Sequence, residues 1–305
     1  MSDWLKKFFL SPIHAWDAFW FEPNDEKLRS VAIFRILFCA TMLFFYISRV
    51  PDISFFYSEQ GLLPSSYAQT VDYFRYHPSI FFGMKSLTSL YIFHGIFLSL
   101  LLMLSVGLLT RFVAPLTFFF HLMFLNRNMT VMFGVDMIST FFFLYLIFSN
   151  SGAYYSLDKK LFCKNSWLYR SSASTINHIA LRLMQIQLCV IYAFSGLEKL
   201  KGTRWWDGSA IWDVLTMGDM QRWDMSFVAH VPVLLAMNAY AVLFWEIYFP
   251  FLVWKKELRN YILLIGVFLH LGIGIFMNLP SFAALMISIY ALFLSGEEIK
   301  RSIRW

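Results

Sequence analysis

Apolar segments of membrane-crossing length recur along the whole chain, at about 30–48, 87–108, 112–126, 134–149, 179–199, 232–253, 260–278 and 281–295. A run of roughly 17 to 25 apolar residues suffices to cross the hydrocarbon of a bilayer as a helix, and lipid permits few alternatives, because every backbone polar group must find its partner inside the segment. The expected fold class is therefore all-α, a polytopic transmembrane helical bundle of about eight spans. The third, fourth and eighth segments are the shortest. Charged residues make up only 14% of the chain against the ~25% usual in soluble domains, which excludes an ordinary water-soluble fold.

The opening stretch, MSDWLKKFFLSPIHAWDAFWF, lacks a continuous apolar core and a small-residue cleavage site. It reads as an N-terminal interfacial amphipathic helix. The domain plan is then 1–29 as this surface segment, 30–296 as one transmembrane domain and 297–305 as a short cytoplasmic tail. Lys and Arg favour one set of loops, including Lys159, Lys160, Lys255, Lys256 and Arg259. That bias puts both termini in the cytoplasm of a multi-pass protein of the cell membrane. The net charge of +6 is scattered over short loops rather than gathered in a patch, so no nucleic-acid partner is expected. Cys39, Cys163 and Cys189 lack metal-type spacing, and no metal site is expected.

Within 179–199, Arg182, Gln185, Tyr192, Ser195 and Lys199 recur at helical spacing and form one polar stripe on an otherwise apolar helix. Polar groups facing hydrocarbon cost several kcal/mol each, so the stripe is expected to face protein or a wet cavity. An ionisable residue in such a place is a candidate site. A lysine partly withdrawn from water releases its proton more readily and can then accept one as a neutral amine, the property a general base needs. The competing reading is a lysine snorkelling at a helix end. Ser195 and Tyr192 lie one and two turns earlier, where they can bond the amine or a substrate. Trp205 and Trp206 suit either an interfacial belt or the wall of a pocket for a flat lipid-soluble molecule.

Asn126, Arg127, Asn128 and Asp136 fall between the third and fourth segments, and Arg127 with Asp136 is expected to pair, most simply as a tie between helices. Glu246 in FWEIYFP and His270 in GVFLHLGIGIF stand mid-span. Glu246 needs a partner, for which Arg182 and His270 are the candidates. His270, like His94 and His121, fits a hydrogen-bonded neutral histidine better than a metal ligand. GAYYSLDKK at 152–160 reads as a capped turn, with Ser156 or Asp158 starting a short helix. No phosphate-binding glycine loop, nucleophile elbow, HExxH or Cys/His cluster occurs.

NRNMTVMFGVD (126–136), GAYYSLD (152–158), IQLCVIYAFSGLEKLKGTRWWDGSA (186–210) and the helices carrying Glu246 and His270 together give a pattern that resembles the HTTM (horizontally transferred transmembrane) family, whose best-known relative is the vitamin K-dependent gamma-glutamyl carboxylase. The resemblance implies a membrane oxidoreductase using a reduced quinone, a vitamin K hydroquinone-like molecule, with Lys199 as the catalytic base and Tyr192, Ser195, Trp205, Trp206, Asn126 and Asn128 near the pocket. Arg127, Asp136, Arg182, Glu246 and His270 would then be structural or supporting charges. Met129 departs from the pattern, standing where the carboxylase has a histidine, and no room is foreseen for its large peptide-binding region; full glutamate carboxylation is not the expectation. The alternative is a non-enzymatic membrane factor for maturation or export of a secreted peptide. Expected partners are membrane lipids, a lipid-soluble quinone, and a secreted peptide or membrane protein.

Overall fold

The computed structural model describes residues 14–84, 86–162, 169, 172–218 and 221–302. Among them there is no strand, and eight principal helices carry the fold: α1 (Lys27–Ser48), α2 (Leu87–Val106), α3 (Thr110–Arg127), α4 (Gly134–Phe148), α5 (Thr175–Lys201), α6 (Pro232–Leu252), α7 (Lys256–Phe276) and α8 (Pro280–Tyr290). Each coincides with one apolar segment of the sequence. Five of them, α1, α2, α5, α6 and α7, are long and apolar enough to cross a membrane. The fourth and eighth segments form shorter apolar helices, and α3 carries Arg111 and Arg127 inside its bounds. Several apolar helices of this kind mark a membrane protein. Of the expected N-terminal amphipathic helix, residues 1–13 lie outside the described part, as do Cys163 and residues 303–305; residues 14–21 are helical.

The helices gather into two compact units, residues 1–184 with 294–305 and residues 185–293. In the first, α1 is the most enclosed of the candidate spans, and Phe34, Phe38, Met42 and Tyr46 on it are fully buried. Phe34 and Phe38 stack at 5.1 Å between ring centroids and meet Phe142 and Phe143 of α4. Local chemistry sets the helix ends. Gly107 at φ 73° stops α2, a left-handed conformation that glycine adopts without steric penalty. The Asp158 carboxylate accepts hydrogen bonds from Leu109 N at 2.6 Å, Thr110 N at 2.9 Å and Thr110 Oγ1 at 2.8 Å, capping α3. Ser156 caps the next short helix through Lys159 N at 3.1 Å. Buried Arg35 donates to the carbonyls of Ser151 at 2.9 Å and Tyr155 at 2.6 Å. GAYYSLD is thus a clamp that ties three chain segments together. Residues 297–302, read from sequence as part of a tail, belong to a helix (Gly296–Ser302) whose Ile299 is buried, and Ser30 Oγ of α1 donates to Leu294 O at 2.6 Å.

In the second unit, Pro232 and Pro280 stand in the first turns of α6 and α8, where a missing N–H costs nothing. α7 and α8 are joined by three residues and pack closely, with Gly274 against Ala283. Gly266 lets the ring of Trp245 and the hydroxyl of Tyr290 approach the α7 backbone more closely than any side chain would permit. Pro250 lies inside α6, so the carbonyl of Glu246, four residues earlier, lacks its helical hydrogen-bond donor.

Candidate functional site

Lys199 sits in the last turn of α5, in the second unit, one turn beyond Ser195 and two beyond Tyr192. Its Nζ donates to Ser195 Oγ at 2.7 Å and to both carboxylate oxygens of Glu246, at 2.7 Å and 2.6 Å. An ammonium has three hydrogens to give, and three acceptors receive them. The side chains are 22% and 11% exposed, so the pair is sheltered but not sealed. A small residue makes the contact possible: a Cβ on Gly196 would come within 2.9 Å of Ile247 Cγ1 and 3.2 Å of Ile247 N, which places the backbones of α5 and α6 almost in touch at the level of the pair. The chain then turns at Gly202, and the short helix Thr203–Trp206 returns the Trp205 ring to 5.2 Å from Lys199 Nζ, a cation–π distance.

Behind the pair lies an aromatic cluster. The Tyr192 hydroxyl is 2.7 Å from His270 Nε2 and 2.6 Å from the Tyr290 hydroxyl, and its ring meets Trp245 at 4.7 Å and Phe249 at 4.6 Å. Tyr192, His270 and Tyr290 are all buried, and His270 Nδ1 has no hydrogen-bond partner. α5, α7 and α8 therefore supply the hydroxyls and the imidazole of one hydrogen-bonded group, while α6 packs Trp245 and Phe249 against it and joins α5 separately through Glu246 and Lys199.

Several expectations require correction. Glu246 pairs with Lys199, not with Arg182 or His270. The polar stripe does not act as one surface: Arg182 belongs to the first unit, where its Nε donates to Phe19 O at 2.8 Å and its guanidinium lies 4.2 Å from the Phe19 ring, whereas Gln185 donates to Leu292 O at 2.8 Å in the second. Helical periodicity aligns side chains on one helix but does not say how many neighbours share that face. Trp206 is 59% exposed and spends its indole N–H on Leu200 O at 2.7 Å, so of the two tryptophans only Trp205 adjoins the lysine.

Arg127 and Asp136 do not pair either. In the first unit Asp136 receives two bonds from Arg49, at 2.7 Å and 3.2 Å, and its Oδ2 also accepts Phe133 N at 2.9 Å to cap α4. Arg127 instead donates to Leu63 O at 2.8 Å and Ser58 O at 3.1 Å and lies 3.5 Å from Glu59. Asn128 donates to Phe56 O at 2.7 Å and Asn126 to Pro78 O at 3.2 Å. The segment 49–86 thus supplies the acceptors and the cation that the NRNMTVMFGVD motif needs, so these residues fasten that segment rather than converge on a pocket with each other. Arg49 also donates to the Tyr57 hydroxyl at 3.2 Å. Burial opposes its charge, but Tyr57 and Asp136 outweigh that and hold the guanidinium above the usual arginine range. Burial pushes the Tyr57 phenol up to about 12, against the pull of Arg49. Tyr46 completes the cluster, its hydroxyl 2.9 Å from His121 Nδ1.

Sequence reasoning missed Tyr290, Trp245 and Phe249 in the second unit and Arg49, Tyr57 and Glu59 in the first. One signal was present: an intramembrane carboxylate calls for a cation, and Gly196 one turn before Lys199 marked the place where another helix could come close. Among the described residues no group of three or more His, Cys, Asp or Glu is placed to hold a metal ion. Comparison with protein-family models, with curated proteins and with solved structures finds no match to this chain.

Proposed function

We propose that the protein is a membrane oxidoreductase of the kind the HTTM resemblance implies, with a lipid-soluble quinol as its cofactor and Lys199, backed by Glu246, as the general base. The observation that carries this reading is the half-buried ammonium of Lys199 held between Ser195, Glu246 and the face of Trp205. The donor set suits a quinol: an acid–base pair for the hydroxyl, an indole plane for the ring and an apolar surround. When bound, a quinol would supply a hydroxyl proton and become an electron-rich quinolate anion. Lys199 with all three hydrogens in place has no lone pair, so the proton must first pass from Nζ to Glu246 along the 2.6 Å contact. Nζ then takes up the hydroxyl proton, and Glu246 retains the one it received. Ser195 keeps Nζ in position through both states. Tyr192 lies two turns before Lys199 on the same helix and is bonded to His270 and Tyr290.

The test is organic extraction and mass spectrometry of lipids co-purifying with wild-type protein, Lys199→Ala and Glu246→Gln. A quinone retained by wild type and lost from Lys199→Ala is the expected result. Wild type without quinone, or equal retention in Lys199→Ala, would overturn the reading. A second reading, a non-enzymatic factor for maturation or export of a secreted peptide, is favoured by the complete use of the ammonium hydrogens, as in a tie between helices. It expects the double variant Lys199→Met/Glu246→Leu to keep the phenotype of the gene. The proposed topology has eight spans and both termini cytoplasmic in the cell membrane, and reporter fusions after residues 231 and 305 test it: the former should report the outer side and the latter the inner.

A further inference from the structure

A cavity of about 360 Å³ lies in the first unit between the start of α2 and the segment that follows α1, within the usual size range for small-ligand sites. Its lining includes the polar residues Ser54, Tyr57, Glu59 and Gln60 and the aromatic residues Phe55 and Phe81. Tyr57 is 3% exposed and its oxygen accepts from Arg49 at 3.2 Å, while its own hydrogen has no acceptor among the described residues. A buried hydroxyl hydrogen left without an acceptor is costly, and a cation bonded to the oxygen makes that hydrogen a stronger donor.

The charge balance narrows the ligand. Among the described residues Glu59 is the one acidic lining residue, but it already accepts from Ser65 N at 2.9 Å and from the Ser65 hydroxyl, and Arg127 stands 3.5 Å away. It retains lone pairs to accept a hydrogen while its charge is countered. A cation therefore gains little there, and an anion would face the carboxylate. What remains is an uncharged molecule whose oxygens both donate and accept, with an apolar flank to lie on the rings. We infer that this cavity binds a polyhydroxylated group: Tyr57 donates to one ligand oxygen, Glu59 accepts from another, Ser54 and Gln60 do both, and Phe55 and Phe81 cover the C–H face. The group is either the headgroup of a sugar-bearing lipid or a free sugar.

The experiment uses the full chain purified in lauryldimethylamine oxide, because sugar detergents would fill the site. Three probes are titrated: methyl β-D-glucoside as the free source, nanodiscs containing monoglucosyl diacylglycerol as the lipid source, and octylammonium as the cationic competitor. Saturable binding of the glucoside, of the glucolipid discs over plain phosphatidylcholine discs, or of both is expected. Tyr57→Phe should weaken it about tenfold, the equivalent of one buried hydrogen bond. Gln60→Ala, at an exposed position that does not threaten folding, should weaken it by a smaller factor. The inference is overturned if neither sugar probe saturates, if both variants bind as wild type does, or if octylammonium binds more tightly than either sugar.

Discussion

Replacing Asp136 by alanine is expected to be among the most damaging single changes in the first unit. Asp136 and Arg49 are 1% and 8% exposed and share two hydrogen bonds, the shorter at 2.7 Å. Deleting one partner of such a pair leaves the other charge buried and typically costs ~3–5 kcal/mol. Asp136 also caps α4 through Phe133 N at 2.9 Å, and loss of a cap adds about 1 kcal/mol. A total of ~4–6 kcal/mol is a large part of the ~5–15 kcal/mol that holds a typical domain together. Arg49→Met should cost nearly as much, whereas Arg49→Met/Asp136→Leu should recover most of the loss, because two apolar side chains of similar volume replace two mutually dependent charges. Equilibrium unfolding in bicelles, followed by Trp fluorescence across the four proteins, gives the coupling energy. Arg127→Met serves as the comparison: it should leave the Asp136 coupling intact, since Arg127 bonds to Leu63 O and Ser58 O. A coupling energy below about 0.5 kcal/mol, the usual limit of additivity, or one that vanishes in the Arg127→Met background, would refute this reasoning.

Three further outcomes are expected. Gly196→Ala places a methyl within 2.9 Å of Ile247 Cγ1 and 3.2 Å of its backbone nitrogen; it should cost ~1–3 kcal/mol and weaken cross-linking between cysteines introduced at 199 and 246, and unchanged cross-linking would mean the helices are not this close. Stability should carry a Tyr57 contribution that is complete below pH 10 and declines as pH rises from its ordinary value of 10 to about 12 in the fold. The sign follows from a raised folded-state value, and the loss at pH 12 approaches ~2–3 kcal/mol. Tyr57→Phe should flatten that part of a stability-against-pH curve, and an unaltered slope would count against the buried phenol. Asp158→Ala removes three acceptor contacts at the start of α3 and should cost at least the ~0.5–2 kcal/mol of a lost cap, read as faster amide exchange at Leu109 and Thr110.

Helix positions were legible in the sequence because hydropathy acts residue by residue: each apolar segment became a helix, and Gly107, Pro232 and Pro280 punctuate the ends as their backbone chemistry requires. GAYYSLD was also legible as a turn, since Ser156 caps locally. Pairings between distant segments were not. Arg127 and Asp136 are close in sequence and opposite in charge, yet Asp136 is claimed by Arg49, which follows α1, and Arg127 by carbonyls of the 49–86 segment. Arg182 and Lys199 share a helix stripe but answer to different neighbours. Which cation meets a carboxylate depends on which helices touch, and that is decided by small residues such as Gly196 and Gly266 as much as by charge.

Pro250 gives α6 a missing rung directly above Glu246. A helix deforms most cheaply where a backbone bond is already absent, so bending there breaks no hydrogen bond of the ladder. The carboxylate that grips Lys199 rides on the most compliant turn of its own helix, and the grip is correspondingly easier to loosen than the rigid aromatic packing around Tyr192.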